Sequence, residues 1–335
     1  MEGVLLSSLG GGCRPCTARP RMELSDLDTR TNYLQVNSIE KSTAKGYATG
    51  ARDYISFCIN HLLPLDPTPQ TLSRYIAYTS QFISSGPKYL SGARHFLSDL
   101  YPCFDVNRSH PLVQATITGS KKIRADPVKR KLPLRTSHLQ AFLEVANCTH
   151  SYDDYLFAVI LSCCFYGCHR MGELVLNNDA SLRDWRKIIK RASFHSSSRQ
   201  AGYHLPYHKG DQFYRGTDIL FTSQEIANPV LLLQNYVKRR DAVHGGRAAL
   251  FIREDGSHPT RSWFEKKFFA ILDRSFGGHS PRAGGATFYA SLGLSEDIIQ
   301  ALGRWSSQAW KIYIRDNPTI RAELQLAAIR LHLRY

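Results

Sequence analysis

The 335-residue sequence holds no apolar run approaching the roughly 18 residues of a membrane-spanning helix, so no span is expected. Its first 20 residues lack an apolar core flanked by basic residues and a cleavage site, and a secretory signal is not expected either. Acidic residues are scarce: 28 Asp and Glu stand against 43 Lys and Arg, a formal charge of +15 at pH 7. Such a surface attracts polyanions, and nucleic acid is the expected partner rather than a membrane. Eight cysteines are too few to staple a chain of this length. Cys58, Cys103, Cys163, Cys164 and Cys168 stand among apolar or aromatic neighbours, which predicts free thiols in a reducing compartment. Cys13 and Cys16 form one CxxC, but no second pair of Cys or His follows at zinc-ligand spacing, so neither a metal nor another cofactor is expected. Internal repeats and long low-complexity tracts are also absent.

The length exceeds one ordinary hydrophobic core, and the 43% hydrophobic content can fill two. Residues 1–30, rich in Gly, Pro, Ser and isolated charges, read as a flexible arm. Residues 31–120 read as a helical unit: Tyr47, Ala51, Tyr54, Ile55 and Cys58 recur at helical spacing within a helix expected from Ser42 to Asn60. Further helices are expected over Leu72 to Ile83, Lys88 to Leu100 and Leu112 to Lys122, punctuated by prolines and by Gly86-Pro87. Residues 121–133 form a basic linker, and Lys121, Lys122, Arg124, Lys129, Arg130 and Lys131, with Arg135 just beyond, are candidate contacts to a phosphate backbone. Residues 134–335 read as mixed. Helices are expected over 136–147, 152–165, 227–243, 261–276, 282–292, 296–302 and 319–332, with short strands around Leu182 to Ile188 and at Tyr203 to Tyr207. The fold class is therefore mainly α, a helical domain followed by a mostly helical α/β domain with a small antiparallel sheet.

Chemistry concentrates in the second unit. Ser280-Pro281 makes a good helix start, so a phosphate beside His279 and Arg282 would meet a guanidinium and the positive end of a helix together. Gly284, Gly285 and Ala286 allow something to approach that helix closely. Arg170 follows an apolar helix and a glycine turn, where its planar fork suits a pair of phosphate oxygens; Glu173 either orients it or is its structural ion-pair partner. Lys209, on a turn after a strand, can reach a departing 5′ oxygen and protonate it, with His208 as an alternative donor. Tyr313 sits in an apolar run after Gly303. A phenol with a pKa near 10 attacks phosphorus only with charge stabilisation and a neighbour to accept its proton.

The order Arg170, Lys209, His279-x-x-Arg282, Trp305, Tyr313 resembles the tyrosine recombinase (phage integrase) family over about residues 35 to 335, and the stretch from Gly278 to Arg315 is most similar to recombinases of fungal Crypton-type mobile elements. The resemblance implies a helical core-binding domain and a catalytic domain clasping duplex DNA. It also implies roles. Arg170 and Arg282 clamp the scissile phosphate, His279 assists proton transfer, Lys209 is the general acid, and Tyr313 forms a 3′-phosphotyrosyl link without a metal. Glu173 matches the acidic residue that supports the family pocket. Trp305 matches the His or Trp that completes it but stands one residue closer to Tyr313 than is usual, so Arg304 is the other candidate for that position. A C-terminal exchange helix, about residues 319–335, would pass in trans to a neighbour in a tetramer on two DNA duplexes carrying specific recombination sites, joined through a Holliday junction. The setting implied is the nucleus for a eukaryotic host, and otherwise the nucleoid. A type IB topoisomerase-like enzyme and a catalytically inactive DNA-binding protein are the competing functions.

Overall fold

The computed structural model describes residues 20–127, 130–211 and 213–311, which fall into two compact units divided after Pro127. The described chain is mostly helical with one three-stranded antiparallel sheet, as the sequence patterns imply. No described helix is long and apolar enough to cross a membrane.

The first unit comprises α1 (Leu24–Val36), α2 (Lys41–Asn60), α3 (Pro69–Ser80), α4 (Gly86–Leu97), α5 (Phe104–Ser109) and α6 (Pro111–Arg124). The apolar stripe of α2, with Tyr54, Phe57 and Cys58, meets Leu72, Tyr75 and Ile76 of α3 and Leu90 and Leu97 of α4. Each large apolar side chain so buried contributes about 1.5–3 kcal/mol before conformational entropy is subtracted. Helices α2 and α4 touch almost backbone to backbone: a Cβ on Gly50 would lie 2.6 Å from the Tyr89 carbonyl oxygen, and one on Gly92 would lie 2.3 Å from that of Tyr47. Helix α3 starts where Thr68 accepts the Thr71 N–H at 3.2 Å and Pro69 occupies a position that needs no donor.

Two expectations are corrected here. The arm expected over residues 1–30 is helical from Leu24, with Asp26 in the first turn and the Thr29 hydroxyl donating to the Ser25 carbonyl. Helix α1 buries no residue, so it has no apolar period by which sequence could reveal it. The basic stretch read as a linker from Lys121 is helical through Arg124 and turns at left-handed Ala125 (φ 41°).

The second unit is built on α8 (Tyr152–Tyr166), which is buried on nearly every side; α7 (Thr136–Thr149), α10 (Pro229–His244), α11 (Arg261–Phe268) and α12 (Ser280–Ser291) pack around it. A helix apolar all round belongs in a core. Strands β1 (His195–Ser196), β2 (Gln200–Leu205) and β3 (Thr217–Thr222) form the sheet in that order, with Tyr203 opposite Ile219. The strands expected between Leu182 and Ile188 are instead single 3-10 turns, because Asp179 and Asp184 accept the N–H groups of Ser181 and Arg186 and close local loops that compete with pairing. The helix expected to reach Phe276 stops at Phe268, and Asp273 binds the Ser275 N–H in a turn beyond it. Two short helices complete the unit, α9 (Met171–Leu174) and α13 (Glu296–Leu302).

Candidate active site

The site begins at the turn that ends α8. Left-handed Cys168 (φ 47°) swings the chain so that Arg170 caps α9. The Arg170 backbone N–H donates to Glu173 Oε2 at 3.2 Å and its Nη1 donates to Oε1 at 3.1 Å. Its side chain keeps 27% of its surface exposed, so the guanidinium is held along one edge and open along another.

Helix α12 brings the next pair. A Cβ on Gly285 would lie 2.0 Å from the Phe165 carbonyl oxygen, and one on Gly284 would lie 2.5 Å from that of Leu134. The helix therefore sits directly on the end of α8, with its first turn beside Cys168 to Arg170. The N-cap is His279 rather than the expected Ser280; Ser280 is the first helical residue, and its hydroxyl accepts the Gly277 N–H at 2.9 Å. Arg282 is 1% exposed. Its Nη1 and Nη2 donate to the carbonyls of Cys168 and Gly303, and the Trp305 ring lies 4.2 Å from its guanidinium carbon. Burial, then the charge of Arg170, lowers its pKa to about 10, against the pull of Glu173. Arg282 remains a cation at neutral pH.

The His279 ring shows how the parts converge. Desolvation on its protein side, then the charges of Arg170, Arg282, Arg261 and Lys209, lower its pKa. Those four positive charges thus act together on one imidazole. Lys209 is exposed on the turn after β2. That turn is braced by the mutually tilted rings of Tyr207 and Tyr214, with centroids 4.9 Å apart, Lys187 Nζ 4.0 Å from the Tyr207 ring and the Arg186 guanidinium 4.4 Å from that of Tyr214. The Tyr214 hydroxyl donates to Asp184 at 3.0 Å. His208 points its Nδ1 at the Gly210 N–H, 3.2 Å away, and burial followed by the Arg304 charge lowers its pKa.

Beneath the cations lies Glu173. Burial alone would raise its pKa, but the hydrogen bond from His169 and the charges of Arg304 and Arg282 hold it well below the usual carboxylate range. Arg304 Nη2 reaches Glu173 Oε2 at 3.2 Å, and its Nη1 donates to the Gly167 and Leu302 carbonyls at 3.2 and 3.1 Å. Arg304 and Trp305 therefore take different places: Arg304 in the ion network under the pocket, Trp305 over Arg282.

Tyr313, Lys129, Cys13, Cys16 and the terminal helix at 319–335 lie outside the described residues. Tyr289, another phenol of this region, donates to the Tyr166 carbonyl at 2.8 Å, and burial raises its pKa. Among the candidate DNA contacts, Lys121, Lys122 and Arg130 are exposed, whereas Arg124 bonds Asp126 and the Ser80 carbonyl, and Lys131 bonds the Arg274 carbonyl. Arg135 caps α7. The described residues contain no cluster of His, Cys, Asp and Glu arranged to hold a metal.

Sequence reasoning missed His169, Tyr203 and Arg261. His169, beside Arg170 in an otherwise apolar stretch, carried a weak signal. Arg261, whose Nε donates to Glu265 at 2.8 Å, adds its charge to the site because Leu176 pairs with Thr260, a contact between segments far apart in the chain.

No protein-family model matches the sequence, and no curated protein is significantly similar to it. Many solved structures are similar in fold, and two of them illustrate the likeness. One is the site-specific recombinase XerH bound to its palindromic difH substrate in a post-cleavage complex, at 15% identity and a TM-score of 0.51, covering 78% of this chain and 72% of XerH. The other is a dimer of lambda integrase residues 75–356 bound to a COC′ core site, at 13% identity and a TM-score of 0.51, covering 88% of this chain and 96% of that fragment. The helical units, the small sheet and these two likenesses together assign the chain the tyrosine recombinase fold.

Proposed function

We propose that this chain is a site-specific DNA strand transferase that cuts and rejoins duplex DNA through Tyr313. The observation that carries the reading is the seating of the first turn of α12, with His279 and Arg282, against the turn that carries Arg170, where the charges of Arg170, Arg282 and Lys209 all act on His279. Guanidinium and ammonium charges gathered near one phosphate would stabilise the added negative charge of a pentavalent phosphorane, Arg170 by direct contact and the buried Arg282 through its field. In the first step the Tyr313 oxygen bonds to phosphorus and the bond from phosphorus to the 5′ oxygen breaks. His279 takes the phenol proton, and Lys209 delivers one to the departing oxygen. A 5′ hydroxyl from a second strand then attacks the phosphotyrosine and releases Tyr313. One phosphoester replaces another, so the cycle needs no external energy source, and the arginines supply the charge for a metal-independent reaction. Trp305 shields Arg282 from water, and Arg304 supports Glu173 from below.

The partners are duplex DNA with specific recombination sites and further copies of the chain. Four protomers on two duplexes would exchange strands through a Holliday junction, each donating its residues 319–335 to a neighbour. The resemblance to Crypton-type recombinases points to integration or excision of a mobile element, in the nucleus of a eukaryotic host or otherwise at a nucleoid.

The test is adduct mapping on a library of nicked duplexes of randomised sequence, in EDTA. The wild type is expected to form a covalent adduct at Tyr313, and Tyr313→Phe is expected to bind the same DNA and form none. An adduct on Tyr289, or a requirement for Mg²⁺ in the chemical step, would overturn the assignment. Rapid relaxation of a supercoiled plasmid lacking the selected sites would identify a topoisomerase instead.

A further inference from the structure

We propose that His169 and Tyr203 are positioning residues, forming a buried chain of hydrogen bonds from the sheet that fixes Glu173 and, through it, Arg170 and Arg304. Both residues are fully buried. His169 Nδ1 lies 2.9 Å from Glu173 Oε2, and its Nε2 lies 3.0 Å from the Tyr203 hydroxyl. The geometry favours one placement of the protons. Glu173 is ionised and can only accept, whereas Arg304 Nη2, 3.2 Å from the same Nδ1, can only donate and also reaches Glu173 Oε2 at 3.2 Å; the shorter contact, to the carboxylate, assigns the proton to Nδ1 and Arg304 to Glu173. Burial, then the Arg304 charge, lowers the His169 pKa to about 4, so the ring is neutral at neutral pH and has that one proton. Its Nε2 is then a bare acceptor, and the Tyr203 hydroxyl must donate to it. The order is Tyr203 O–H to His169 Nε2, then His169 Nδ1–H to Glu173.

The groups facing this chain come from every side. Arg304 approaches from the segment after α13 and Arg282 from α12, while Cys163 and Cys164 of α8 flank Tyr203. The reversed tautomer would accept from Arg304 Nη2 at Nδ1 and donate from Nε2 to Tyr203, but it leaves the shortest contact of the ring, 2.9 Å to Glu173, without a proton. Reversing the tautomer sets a lone pair of Nδ1 against the carboxylate and removes a donor from it. The carboxylate also holds the backbone and the guanidinium of Arg170, so its rotation would misdirect the one clamp arginine that faces solvent. Misplacement of a clamp by about 1 Å costs on the order of a hundredfold in rate.

The consequence for rate rests on the strand-transfer reading; the hydrogen-bond order does not. Heteronuclear NMR of the full chain with ¹⁵N-labelled histidine should show His169 protonated at Nδ1 and bare at Nε2, and still neutral at pH 5. Tyr203→Phe should raise the pH at which His169 protonates by about one unit, since the donor that favours the neutral ring is gone. On the randomised nicked duplexes, His169→Leu should slow adduct formation about a hundredfold at unchanged DNA binding. His169→Asn, whose amide N–H falls near the place of Nδ1–H, should recover a substantial part of that rate. A proton found on Nε2, equal losses for Leu and Asn, or losses matched by the unfolded fraction would each overturn the proposal. Should the variants fail to fold, the wild-type spectrum still decides the order. A wild type that makes no adduct defeats the strand-transfer reading and with it the effect on rate, whereas the spectrum reads the hydrogen-bond chain separately.

Discussion

At the scale of single residues, the cations of the site divide by what else they do. Lys209 is exposed on a braced turn and can be removed without opening the core. Lys209→Ala should therefore melt like the wild type yet cleave about a hundredfold or more slower, within the usual range for a lost general acid. A 5′-bridging phosphorothioate, whose sulfur leaves without a proton, should restore most of the rate; equal defects on both substrates would move the role to His208. The buried acid network makes a separate prediction about stability. The folded pKa of His169 is depressed to about 4 from an ordinary 6.5, so the unfolded chain takes up this proton first as pH falls. The stability concerned is complete above pH 6.5 and is lost progressively toward pH 4, with a slope of up to about 1.4 kcal/mol per pH unit from this group. Urea midpoints across that window should fall for the wild type and fall less for His169→Leu. Of these residues, Arg170, Lys209, His279 and Arg282 were legible in the sequence because their order along the chain matches a known pattern. His169 and Tyr203 were not, because their meaning arises only when α8, α9 and β2 meet.

At the scale of elements, the position of α12 is set by Gly284 and Gly285 resting on the end of α8. Gly285→Ala would bring a methyl against the Phe165 carbonyl, closer than van der Waals contact allows, and backbone cannot yield as a flexible side chain does. The expected result is a loss of about 1–3 kcal/mol and, because His279 and Arg282 ride on that helix, a loss of cleavage larger than the change in folded fraction explains. Gly172→Ala is the control, since nothing lies within 4 Å of its added Cβ. Cleavage by Gly285→Ala equal to that of the control would remove α12 seating as the cause. Helices with an apolar stripe between proline and glycine breaks, such as α2, α7 and α13, could be read directly from sequence. Helix α1 could not, having no buried face, and β3 could not because its partner β2 is separated from it by the whole Lys209 turn.

At the scale of the whole molecule, charge and assembly dominate. The excess of 15 positive charges should make DNA binding strongly salt-dependent, as phosphate contacts release counterions. The apolar positions Ile320, Leu324, Ala327, Ala328 and Leu331 would form one face of the terminal segment if it is helical, and a neighbouring protomer is the proposed cover. Deleting residues 319–335 should leave binding to one half-site nearly intact while abolishing stable pairing of two duplexes. Sedimentation of the truncated chain on full-site DNA as an active tetramer would rule out the exchange.

Arg282 also ties together distant parts of the chain, since its two donors hold the carbonyls of Cys168 and Gly303, each next to or within a turn with a left-handed residue, Cys168 or Arg304. Such backbone conformations cost on the order of 1–3 kcal/mol and persist where surroundings enforce them. In evolutionary terms, the position cannot drift when activity ceases to matter: losing this guanidinium injures the architecture as well as the chemistry. Among the described residues, Lys209 holds no such backbone carbonyls. If the proposed strand transfer is the reaction, a descendant lineage relieved of selection for it should shed Lys209 early and keep Arg282 long after, as a molecular fossil of that chemistry.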